Sequence, residues 1–169
     1  MLRRSAILLL LACSLGFRAA PGQSDPLTVF VVRHAEKGTE IPDPSLTEAG
    51  RRRATELARV LADARVTALF VTEFKRTQET LAPLAAATGL TPTRLRAQEL
   101  EALIAALEAL PPGSRAVVAS HSNVVHLIVA RLSGAQVPAL TEADYDRLAM
   151  VTVTGKGKGA AVVLRYGEK

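Results

Sequence analysis

At 169 residues, 49% of them hydrophobic, the chain is long enough to bury one core of ordinary size, and its single cysteine excludes an intrachain disulfide. The net charge of +5 invites a nucleic-acid partner, but Arg3, Arg4 and Arg18 lie in the first twenty residues with no acid among them, which leaves +2 on the rest. With 4% aromatic residues and no tryptophan there is also no platform for stacking bases, so nucleic-acid binding is not supported.

Residues 1–20 read as a targeting signal rather than as part of the fold. Arg3-Arg4 form a positive start, and the apolar stretch from Ser5 to Ala12 is far too short to span a bilayer. Two forms stay open. Leu10-Leu11-Ala12-Cys13 has the pattern of a lipoprotein signal, in which Cys13 would be lipidated and anchor the protein to a membrane. Arg18-Ala19-Ala20 would instead serve an ordinary secretory cleavage. A buried N-terminal helix is disfavoured, because the run has no polar face. The expected location is therefore exported, periplasmic or otherwise extracytoplasmic. Residues 21–26, rich in Gly, Ser and Pro, read as a linker, and residues 27–169 as a single domain.

Leu27–Val32 is a continuous apolar run of strand length, the pattern of a central strand buried on both faces. After a loop at Gly38–Pro44, Ser45-Leu-Thr-Glu48 has capping-box spacing and predicts a helix to about Asp63 with Ala54, Leu57, Ala58 and Leu61 on its inner face. Thr67–Thr72 reads as a second strand and Phe74–Thr88 as a helix ended by Gly89, with Pro83 implying a kink or a late start. Thr93–Leu95 is a candidate short strand, and Glu99–Leu110 a helix whose Leu100, Leu103, Ile104 and Leu107 stripe is core packing. Arg115–Ser120 predicts a strand and Asn123–Leu132 a helix ended by Gly134. Leu148–Thr154 and Ala160–Tyr166 read as a terminal hairpin, with the glycine-lysine run between them a turn and not a phosphate-binding loop. Strand alternating with helix gives an α/β three-layer sandwich: a mostly parallel central sheet flanked by helices, with a C-terminal antiparallel hairpin.

Two polar pieces sit where apolar runs stop. Arg33-His34 follows the first strand, and Ser120-His121-Ser122-Asn123 ends the strand after Arg115. A histidine at a strand end stands on a rigid platform at the mouth of an α/β sheet, and an arginine beside it offers a planar fork that fits phosphate oxygens. Neutral imidazole is a nucleophile near neutral pH, so two histidines and arginine at two strand ends point to phosphoryl transfer through a phosphohistidine. His126, five residues beyond His121, lies on another helix face and makes no metal pair with it; it is structural or pocket-lining. Arg51-Arg52-Arg53 reads as a solvated helix face. No carboxylate cluster marks a metal site, and the arginines take an ion's place.

Arg33-His34-Ala35-Glu36, Ser45-Leu-Thr-Glu-Ala-Gly50, Thr72-Glu-Phe-Lys-Arg76-Thr-Gln-Glu-Thr80 and Ser120-His121-Ser122-Asn123 together resemble the histidine phosphatase superfamily, with the phosphoglycerate mutase-like fold. The resemblance covers nearly all of the chain after the signal, in the right order and strand-to-helix context. The chain is short, like the compact bacterial phosphatases of that superfamily. Ala35 stands where the eponymous Arg-His-Gly motif has glycine, and the Asn that follows that motif in many mutases is missing; both departures weigh against mutase activity.

The resemblance implies metal-independent hydrolysis of small phosphomonoesters with no cofactor. His34 would be the nucleophile, Arg33 and Arg76 the clamps on the phosphoryl oxygens, and His121 and Asn123 further phosphate-binding groups. It places the proton donor at Glu99, with Glu101, Glu36 and Glu73 as rivals. Two other readings stand beside it: a non-catalytic module that binds phosphorylated ligands, and a phosphatase for phosphohistidine proteins if the N-terminus is retained in the cytoplasm. Substrate and oligomeric state are not legible in the sequence.

Overall fold

The structure, a computed structural model, describes residues 25–168. The expected signal with Cys13 and most of the expected linker lie outside the described residues. The elements run β1 Leu27–Arg33, α1 Glu48–Val60, β2 Ala68–Thr72, α2 Lys75–Thr88, β3 Thr93–Leu95, α3 Leu100–Glu108, β4 Arg115–Ser120, α4 Ser122–Ser133, β5 Arg147–Gly155 and β6 Lys158–Arg165. One sheet holds all six strands in the order β3-β2-β4-β1-β5-β6. β1, β2, β3 and β4 are parallel, while β5 runs antiparallel to β1 and pairs with β6 as a hairpin. The three-layer α/β expectation holds.

Alternation along β1 explains the layers. Val29 and Val31 point to one face, into a cluster with Ile104 and Leu107 of α3 and Val125, Ile128, Val129 and Leu132 of α4. Phe30 and Val32 point to the other, against Leu57 of α1 and Leu81 and Leu84 of α2. Val29, Val31 and Val32 are wholly buried, each worth about 1.5–3 kcal/mol over exposure. β6, the outer strand, is mostly exposed.

Helix ends match the glycine punctuation, with Gly89 and Gly134 in the left-handed conformation at φ 70° and 74°. Pro83 neither delays nor ends α2, which starts at Lys75 and carries it inside.

The expected capping box at Ser45 is corrected. The cap of α1 is Thr47, whose side chain accepts from Gly50 N at 3.1 Å. Ser45 is engaged elsewhere, its carbonyl accepting from Gly38 N at 2.9 Å beside a bridge between Lys37 and Leu46. Thr47 N donates to Glu36 O at 2.9 Å, and this draws the helix start so close that a Cβ on Gly50 would lie 2.2 Å from that same oxygen. Only glycine fits there.

Candidate active site

β1 and β4 are neighbours in register, with Arg33 opposite Ser120. Parallel pairing therefore brings both strand ends to one edge of the sheet, and His34 N donates to Ser120 O at 2.8 Å. The rings of His34 and His121 meet edge-on, their centroids 5.4 Å apart. Arg33, His34 and His121 are 1%, 3% and 9% exposed, a cationic and imidazole cluster sealed into the end of the core.

His34 Nδ1 lies 2.8 Å from Ala35 O. A carbonyl only accepts, so Nδ1 carries the proton and Nε2 keeps its lone pair, with no hydrogen bond to it among the described residues. Burial lowers the pKa of His34 to about 3, with Arg33, His121 and Arg76 pushing the same way against the Ala35 bond. Burial likewise lowers His121 to about 4, assisted by Arg76 and Arg33 and opposed by Glu73. Both rings are neutral at neutral pH. His121 is held by a bond between its Nε2 and Thr72 Oγ1 at 3.1 Å, and Thr72 is pinned in turn by Thr77 Oγ1 at 2.9 Å. The start of α2 thus positions a ring that stands at the start of α4.

Arg76 rises from the first turn of α2 with its guanidinium 4.2 Å from the centre of the Phe74 ring and 3.6 Å from Asp43. Phe74 also packs edge-on against His121 at 5.5 Å. The Nε atoms of Arg33 and Arg76 are both buried without a partner among the described residues. Two unpartnered buried N–H donors, on the buried Arg33 and the half-buried Arg76, are a costly arrangement that an anion would complete. Asn123, in the first turn of α4, is exposed, and its value to an anion lies in the free backbone N–H groups of that turn.

The four carboxyl candidates separate. Glu36 is spoken for, its two oxygens accepting from Arg53 Nε at 2.9 and 3.0 Å. Glu101 pairs with Arg131 on the surface. Glu99 is exposed at the start of α3, beside a crevice shared with Thr72 and Ser120, and its carboxyl makes no hydrogen bond among the described residues. Glu73 is exposed, accepts from Ala97 N at 2.8 Å, and its charge opposes the lowering of the His121 and Arg76 pKa values by burial. Glu142, which the motifs did not single out, does touch the cluster: its Oε2 accepts from Arg33 Nη2 at 2.7 Å and its Oε1 from Ser122 Oγ at 2.8 Å. It belongs to the long connection before β5, where Thr141 N and Oγ1 both donate to Asp144 and close a tight turn. The Thr141-Glu-Ala-Asp144 spacing was the available signal for that turn.

Arg53 corrects another expectation. It is 8% exposed and not solvated, and it ties Glu36 to the carbonyls of Tyr166 and Glu168 at 3.0 and 2.6 Å. Arg51 and Arg52 are exposed as expected. His126 is half-buried, with Nδ1 unpartnered.

Residues 29–100 match the family model of the histidine phosphatase superfamily (branch 1). No curated protein matches the sequence significantly. Among solved structures, the protein histidine phosphatase SixA complexed with tungstate superposes with a TM-score of 0.68 at 21% identity, over 82% of this chain and 96% of that one. The mycobacterial glucosyl-3-phosphoglycerate phosphatase Rv2419c in complex with VO3 gives 0.65 at 13% identity, over 83% and 99%. The alpha-ribazole phosphatase of Shigella flexneri gives 0.63 at 16% identity, over 82% and 96%. At these identities the likenesses speak for the fold. The match to that family model runs from β1 to the start of α3, and the fold is the one these solved phosphatase structures share.

Proposed function

We propose that the protein hydrolyses phosphomonoesters through a phosphohistidine on His34. The observation that carries this is the tautomer: Nδ1–H is committed to Ala35 O, so the lone pair on Nε2 has no donor among the described residues and lies in a cluster with Arg33 and Arg76, whose Nε atoms are buried. In the first step Nε2 attacks phosphorus, the P–O bond to the leaving group breaks, and the departing alkoxide takes a proton from a carboxyl group. In the second, water attacks the same phosphorus and the P–N electron pair returns to Nε2, while the water proton passes to that carboxylate. Arg33, Arg76 and His121 would hold the non-bridging oxygens as charge spreads over them. Tungstate and VO3 in two structural neighbours support an oxyanion pocket of this kind.

A second reading, removal of phosphate from phosphohistidine proteins, takes its support from the likeness to SixA. It shares the His34 chemistry and differs in leaving group. We also read residues 1–20 as an export signal, which a mass measurement of the mature N-terminus would test.

The proposed function is tested by p-nitrophenyl phosphate hydrolysis in the presence of chelator, with the wild type and His34→Ala side by side. Turnover that chelator leaves untouched and the substitution abolishes is expected. Activity that survives the substitution would overturn the mechanism, and a wild type that binds phosphate without turnover would make the protein a binding module.

A further inference from the structure

The edge of Arg33 that a phosphoryl group would use is already occupied. Nε and Nη2 share one side of the guanidinium, the side that takes two oxygens of a phosphate at once. Nε is buried with no partner, while Nη2 donates to Glu142 Oε2 at 2.7 Å. The second oxygen of Glu142 accepts from Ser122 Oγ at the first residue of α4. One carboxylate therefore bridges an arginine edge and a helix start, two donors suited to two phosphoryl oxygens. The side chain of Arg33 is 1% exposed and that of Glu142 is 77% exposed, so the carboxylate is the partner free to move.

The backbone that carries Glu142 has its own hold. Arg33 Nη1 donates to Thr141 O at 2.9 Å, and the Tyr145 ring lies 4.1 Å from the Arg33 guanidinium carbon. The Thr141–Asp144 turn stiffens the segment between them. None of these contacts uses Nη2 with Nε as a pair. Nη2 carries two N–H groups and also donates to Tyr145 Oη at 3.3 Å. A phosphoryl group that takes that edge thus displaces the Glu142 carboxylate and leaves Nη2 one N–H for Tyr145, and the displaced carboxylate stays tethered at the mouth of the pocket.

We propose that Glu142 determines specificity: it holds the phosphate-binding edge of Arg33 until a phosphoryl group displaces it, then faces the leaving group and selects phosphoryl groups carried on neutral or cationic partners. A second anionic group close to the phosphate meets like charge there. Asp43, 3.6 Å from Arg76, adds charge of the same sign at the other arginine. This inference rests on the phosphatase reading above.

The test measures inorganic phosphate binding by calorimetry, and kcat/KM for phosphoethanolamine against 3-phosphoglycerate, in the full chain and in Glu142→Gln and Glu142→Lys. Phosphate should bind Glu142→Gln about fivefold more tightly, the scale of one partly screened ion pair. The wild-type preference for phosphoethanolamine should shrink in Glu142→Gln and reverse in Glu142→Lys. Unchanged or weaker phosphate binding in Glu142→Gln overturns the inference. So does a wild type with no preference, or a preference that neither substitution moves. If none of the three proteins binds phosphate or turns over either ester, the phosphatase reading itself is overturned, and the inference falls with it.

Discussion

In the proposed mechanism His34 would act as a nucleophile through what surrounds it and not through a neighbouring base. Burial keeps the ring uncharged and Ala35 O fixes the proton on Nδ1, while the arginines would offset the negative charge of a phosphoryl group. If Arg33 and Arg76 act on the spread charge of the transition state as proposed, Arg33→Ala and Arg76→Ala should each lower kcat/KM on the order of a hundredfold or more. Near-native steady-state kinetics in either variant would remove that residue from the site. The proton donor is testable by leaving group. Glu99→Gln and Glu73→Gln should be compared on an alkyl phosphate and on p-nitrophenyl phosphate, since nitrophenolate departs without a proton. In kcat/KM, which reports the first step and not the later hydrolysis of the phosphohistidine, the true donor's variant slows the alkyl ester far more; equal slowing of both substrates in kcat/KM by each variant would exclude both residues. The histidines and Arg33 were legible in the sequence because strand ends fix where such residues point. Glu142 was not, because an irregular connection carries no periodicity that says which side chain turns inward.

The same contrast holds among the elements. The strands were legible to within a residue or two because each apolar run is bounded by polar or glycine residues, as Leu27–Val32 is by Pro26 and Arg33. The start of α1 was misread because Ser45 satisfies the spacing rule while its backbone is bound to Gly38. The Arg51–Arg53 run was misread as one face, although successive helical residues are about 100° apart and three in a row cannot all face water. Arg53 turns inward and joins α1 to the segment after His34 and to the chain end. Arg53→Ala should cost about 2 kcal/mol in urea unfolding, below the usual cost of a broken buried pair because Glu36 keeps 23% of its side chain in water. Arg52→Ala, removing a surface pair with Glu48, should stay within about 0.5 kcal/mol. Equal losses would mean that Arg53 does not lock these elements together.

At the scale of the molecule, a sealed pair of neutral histidines links stability to pH. The folded values, about 3 for His34 and about 4 for His121, lie below the unfolded value of 6.5. Between those limits the unfolded chain binds more protons than the native one, so stability is full above about pH 6.5 and falls as the pH drops toward 4. Glu142 and Asp146, whose carboxyls are lowered by their partners, add to the loss at the acid end. The melting temperature should therefore decline from pH 7 to pH 4.5, and decline less in His121→Asn, which has nothing to protonate there. Parallel declines in the two proteins would show that His121 is not held neutral by the fold.

The most direct test of phosphohistidine chemistry is to quench the enzyme during turnover of a labelled phosphomonoester and to locate the label by mass spectrometry under alkaline conditions. One acid-labile phosphoryl group on His34 is expected, appearing within the first turnover and chased by unlabelled substrate. Turnover with no covalent phosphate on the chain, or with the label on any residue other than His34, would contradict it.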